Sequence, residues 1–176
     1  RLETEFRRVH PRQELYDPET FRGFQKPDDF RRRRVLLRES VCDAILAVDE
    51  EMRTYLPDAE IVPRAIDLEA WEPVGPVGDT PGRVVIVHAP SRPVYKGTEA
   101  LNAAIERLRS EGLPIEYRLV RDTEHADAKR IYATADIVVD QLMIGWYGVL
   151  AVEAMALGKP VISHIRPDLE RFATEI

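Results

Sequence analysis

Four apolar runs set the layout of the second half of the chain. VVIVHA (84–89), IEYRLV (115–120), DIVVD (136–140) and PVISHI (160–165) each read as a strand. Between them lie segments with helical spacing. Residues 98–109 place Leu101, Ile105 and Leu108 on one face, and residues 125–135 form a second helix. The third, from Gly148 to Leu157, is almost wholly apolar, and its one charged residue is Glu153. Gly158 stops it and KPVI opens the next strand. A last partial helix ends the chain. Strands that are apolar throughout, alternating with helices, predict a parallel sheet covered on both faces, an α/β Rossmann-like fold.

The first half is less regular. Residues 1–28 mix Arg, Glu, Pro and aromatics without a period and read as loop with short helix. A helix is expected over 29–41, a strand over 44–48 (AILAV), a short helix in EEMRTYLP capped by Asp49 and closed by Pro57, and a brief strand over 60–63. PVGPVGDTPG (73–82) holds three prolines and three glycines and reads as a linker. The expected division is therefore 1–72, the end of one domain and the interdomain segment; 73–82, the linker; and 83–176, an incomplete second domain. The chain opens on Arg1 and stops within ERFATEI, which reads as a fragment of a longer protein.

Charge refines this picture. The net charge is −6, but residues 1–38 hold 11 basic and 7 acidic residues, a balance of +4, and the rest carries −10. The acidic body argues against a nucleic-acid surface. The run Arg31–Arg34 reads first as a solvated helix face and second as a contact for anionic lipid. No apolar run is long enough to span a membrane. The expected location is cytoplasmic, with peripheral contact at the inner face of the membrane as the alternative. The single cysteine, Cys42, allows no internal disulfide and no Cys/His metal spacing, and is expected in the core.

Candidate chemistry clusters after the strands, where parallel α/β sheets bind ligands. Ser91, Arg92 and Lys96 lie between the first strand and a helix start, a setting that suits phosphate. The segment is no P-loop, because GxxxxGK[ST] is absent. Its plain reading is a polar loop with surface cations. Gly145 and Gly148 flank Trp146 and Tyr147 before the buried helix and would allow close ligand approach, or the aromatics merely pin the helix start. Glu153, an isolated carboxylate on an apolar helix, costs several kcal/mol, roughly, unless paired. Its two acceptor oxygens suit a ribose diol, or it meets Lys159 or an arginine. His88, His125 and His164 read as structural, since spacing offers them no Ser, Cys or Asp partner.

Together these segments resemble the family 4 glycosyltransferases of GT-B fold. VEAMALGKPVI is similar to that family's second-glutamate motif, RIYATADIVVD to its "AD" strand, HAPSRPVYKG to its first C-domain strand and loop, and IVPRAIDLEAW to its interdomain segment. The resemblance spans about residues 40–165. It implies a truncated GT-B protein that moves a hexose, with retention, from a nucleotide-diphosphate sugar to an unknown acceptor. No metal and no cofactor beyond that donor substrate are implied. Lys96, with Arg92 and Ser91, would hold the diphosphate. Gly148 would offer an N–H to the distal phosphate, and Glu153 would hold the ribose. Gly145, Trp146 and Tyr147 would lie on the donor-sugar side. The chain departs from the family where Gly145 replaces its first glutamate, Ser91 falls at the arginine position, and the glycine-rich turn, helix and strand before the "AD" strand are missing. Catalytic residues from the rest of the N-domain are not in the chain. The alternatives are a non-catalytic nucleotide-sugar or partner-binding module and a GT-B nucleotide-sugar epimerase.

Overall fold

The computed structural model describes residues 28–54, 56–73 and 82–173. The chain divides into two compact units, Arg1–Arg64 with Arg171–Ile176, and Ala65–Glu170. Residues 1–27 and the greater part of the expected linker, 74–81, lie outside the described residues.

In the first unit, helix α1 spans Asp28–Val41. Its arginine run ends in exposed Arg33 and Arg34. Strands β1 (Leu46–Ala47) and β2 (Glu60–Ile61) pair in parallel, Leu46 against Glu60 and Ala47 against Ile61. The apolar run 44–48 thus yields only two strand residues. Of its large side chains Leu46 and Val48 stay exposed, and Ala47 is the buried one. The expected helix after Asp49 is a 3-10 turn, Glu50–Thr54, with the Asp49 Oδ1 accepting the Met52 N–H at 3.2 Å. Cys42, expected in the core, is exposed, because it falls in the connection just after α1.

The second unit is α/β. Its strands are β3 (Val84–His88), β4 (Ile115–Leu119), β5 (Ile137–Val139) and β6 (Val161–Ile162), all parallel, in the order β4-β3-β5-β6. The helices are α2 (Pro93–Lys96), α3 (Thr98–Ser110), α4 (His125–Ala133) and α5 (Val149–Ala156). A 3-10 turn, Pro167–Leu169, follows, and a short α6, Glu170–Ala173, begins at the last residue of this unit and continues into the segment counted with the first. The segment of Ser91, Arg92 and Lys96, expected as a polar loop, instead contains a one-turn helix that Pro93 opens and Gly97 closes at φ 74°.

The two central strands, β3 and β5, are largely buried on both faces, and the edge strands β4 and β6 only in part. Val85, Val87 and Val138 pack with Ala128 and Tyr132 of α4 and Leu150 and Ala154 of α5. Ile86 and Val139 point the other way, onto Leu101 and Ile105 of α3. Trp71 and Ile66 join the first of these clusters, so residues ahead of the linker belong with the sheet. The Asp67 carboxylate makes the turn that seats Trp71, accepting the N–H groups of Glu69 and Ala70 at 3.0 and 3.3 Å. Helix α5 ends as its sequence predicts. Gly158 takes φ 73°, its N–H reaches the Met155 carbonyl, and the Lys159 N–H reaches that of Ala154.

Strand order fixes where a ligand can enter. From β3 the chain crosses to β4 on one side, then returns past β3 to β5 on the other. The reversal falls between the carboxyl ends of β3 and β5, where such sheets usually carry their ligand crevice.

Candidate functional site

The crevice lies between two loops. One runs from Ala89 to Lys96, the other from Asp140 to Gly148. His88 ties their bases together. Its Nδ1 is 2.8 Å from the Val139 carbonyl, which only a donor can satisfy, so Nε2 accepts from the Thr98 hydroxyl at 2.9 Å. Burial lowers the His88 pKa below 6.5. Lys96 and Arg121 add to this, outweighing the Val139 hydrogen bond and Asp140. A fully buried, neutral imidazole bonded on both nitrogens is a structural group.

Above it stands the main polar contact of the site. Lys96 Nζ lies 2.6 Å from Oδ1 of Asp140. The other carboxylate oxygen, Oδ2, accepts the backbone N–H of Gly148, ahead of the first turn of α5. The Asp140 side chain is fully buried and that of Lys96 is 13% exposed. Gly148 is needed here for its size: a Cβ would fall 2.8 Å from Lys96 Nζ and 2.9 Å from Asp140 Oδ2. Lys96 and Gly148, which the family resemblance implies as phosphate ligands, are therefore brought together, and both already hold the carboxylate of Asp140. The expectation of an exposed polar loop holds for Ser91 and Arg92, which face solvent, but not for Lys96.

Glu153 lies on the second turn of α5 with its side chain 11% exposed. It has a partner, though neither Lys159 nor an arginine. His125 Nε2, from the first turn of α4, is 2.8 Å from its Oε1. The two residues are 28 apart in sequence, so no helical spacing could reveal the pair. The His125 side chain is 70% exposed, and its ring sits 5.4 Å from that of Trp71. Glu153 also helps burial push the Tyr132 phenol up to about 12.

The donor-sugar side differs most from expectation. Gly145 does not leave room for a ligand over its backbone. A Cβ there would lie 2.9 Å from Cβ and 3.0 Å from Cγ and Cδ of Arg166. The Arg166 N–H donates to the Gly145 carbonyl at 2.9 Å, and its guanidinium meets both Asp168 oxygens at 2.8 and 3.0 Å. Trp146 is buried, with Tyr147 stacked at a tilt 4.7 Å away. The Gln141 side-chain amide donates to the Trp146 carbonyl, and the Gln141 backbone carbonyl accepts the backbone N–H of His164, so this loop is tied to the segment after β6.

Sequence reading missed Asp140, Gln141 and Arg166. The signal for Asp140 was present: a carboxylate ending an apolar strand at the ligand side of a parallel sheet. Among the described residues no cluster of His, Cys, Asp and Glu could hold a metal ion, and no helix is long and apolar enough to cross a membrane. Compared with known proteins, the chain matches no family model and no curated relative.

Proposed function

We propose that the second unit is the donor-binding part of a GT-B glycosyltransferase of family 4 type, moving a hexose with retention from a nucleotide-diphosphate sugar. One observation carries the reading. Lys96 and the Gly148 N–H, 52 residues apart and implied as diphosphate ligands by the family resemblance, converge on a single anionic group at the switch point of the sheet. A cation and a backbone donor aimed at one pair of oxygens suit a phosphate. In transfer, an oxygen of the acceptor bonds to the sugar's anomeric carbon as the bond from that carbon to the diphosphate breaks; the diphosphate leaves with the electron pair, and the acceptor's proton passes to a diphosphate oxygen. Lys96, exposed Arg92 and the Gly148 N–H would take up that charge, so catalysis rests on positioning and electrostatic stabilisation. Glu153 and His125 would meet the nucleoside.

A second reading has its own support. Arg166 fills the space at Gly145, where the family carries a carboxylate toward the sugar, which favours a module that binds a nucleotide sugar without transferring it. The test is a calorimetric screen of UDP-, GDP- and ADP-sugars, followed by assay of the bound donor for release of free nucleotide with the intact protein. Binding with release supports transfer. Binding without release supports the module, and no binding by any donor removes both readings.

A further inference from the structure

We propose that Asp140 is a built-in competitor for the diphosphate, so that this crevice captures a phosphate group only when a nucleoside arrives with it. The inference rests on the diphosphate reading above. Lys96 and Gly148 hold an anion in this structure, and it is the protein's own. One carboxylate oxygen faces the ammonium and the other faces the backbone amide, which is also how two oxygens of a phosphate would meet these donors. The Lys96–Asp140 pair has no net charge, so it offers a free inorganic anion little long-range attraction.

Crowding sharpens the competition. A Cβ built on Gly148 would lie 2.8 Å from Lys96 Nζ and 2.9 Å from Asp140 Oδ2, so both groups occupy the space beside that residue. A phosphate reaches these donors only if the carboxylate turns away or shares them. Turning away gives up a charge-assisted pair that is almost fully buried. Sharing places two anions side by side. Either route costs free energy that contacts elsewhere on the ligand must offset. Glu153 and His125 provide such contacts on the nucleoside side, with His125 already exposed. The crevice should therefore discriminate strongly between a nucleoside diphosphate and inorganic diphosphate, although the phosphates are the same.

The experiment is calorimetric titration of the wild-type chain and Asp140→Asn with inorganic diphosphate and with UDP, GDP and ADP. Removing the competing charge should raise affinity for inorganic diphosphate by about tenfold or more, the equivalent of one charge-assisted hydrogen bond. It should also narrow the preference for the nucleoside diphosphate. Unchanged or weaker diphosphate binding by folded Asp140→Asn, with wild-type nucleotide binding intact, overturns the competitor role and leaves the diphosphate reading standing. Absence of nucleotide binding in both proteins overturns the two together. If Asp140→Asn does not fold, the wild type decides. On addition of a bound nucleoside diphosphate, the Gly148 amide resonance should shift as its acceptor changes from carboxylate to phosphate. Binding that leaves that resonance in place refutes the proposal.

Discussion

Two side-chain pairs stand at the carboxyl-end side of the same sheet, and they differ in how much water each keeps. Lys96 and Asp140 are 13% and 0% exposed, and the carboxylate also holds a backbone N–H. His125 and Glu153 are 70% and 11% exposed, and one carboxylate oxygen carries the contact. A pair closed on both sides fixes structure, because breaking it strands a charge away from water. A pair open on one side can exchange its partner, because water or a ligand replaces what is lost. Under the proposed reading, the phosphate side is therefore self-satisfied and costly to open, and the nucleoside side opens at little cost.

That contrast is easiest to break at Asp140. Asp140→Ala leaves the Lys96 ammonium and the Gly148 N–H without their acceptor, and should cost about 3–5 kcal/mol in urea unfolding. A loss below 1 kcal/mol, roughly, would mean that the pair is as open as the other one. Gly148→Ala presses a methyl group between Lys96 and Asp140 and should cost about 1–3 kcal/mol by the same measurement. A neutral outcome would show that the pair can separate freely.

Acid titration probes the floor of the same region. The His88 pKa is lowered in the fold, so below 6.5 the unfolded chain takes up a proton that the folded chain refuses. Stability from this group is fully present above 6.5 and declines as pH falls toward the lowered value, with a slope of at most about 1.4 kcal/mol per pH unit. His88→Gln should flatten that part of the stability profile. An unchanged slope would assign the acid sensitivity to other groups.

The smallest effects belong to the open pair. His125→Ala and Glu153→Gln should each cost about 1 kcal/mol or less in stability. Glu153→Gln should weaken nucleoside binding by about 1–3 kcal/mol, since one acceptor of the diol becomes a donor. A large drop in melting temperature with binding preserved in the folded fraction would reverse the contrast and remove Glu153 from the ribose.

The strands and the α5 stop could be read from sequence because their causes are local. Val84 to Val87 is apolar in succession, and Gly158 sits where a helix C-terminus needs positive φ. What could not be read depends on strand order. Lys96 and Asp140 are 44 residues apart and meet only because β5 returns to the far side of β3. Glu153 was recognised as needing a partner, but no periodicity links it to His125 on another helix. Gly145 reads in sequence as space for a ligand, and Arg166, 21 residues on, takes that space. One-turn α2 was missed because four residues carry no period, though Pro93 and Gly97 bracket it.

The central claim is that Lys96 holds a diphosphate, and Lys96→Ala tests it most directly. The substitution strands Asp140, so the variant must be shown folded by its melting curve before titration; the ion pair makes a loss of stability the expected outcome. Calorimetry with UDP, GDP and ADP should then find one nucleotide that binds the wild type, and binds folded Lys96→Ala more weakly by about 1.5–3 kcal/mol. Equal affinity in the two proteins, or no binding of any of the three to the wild type, would contradict the account.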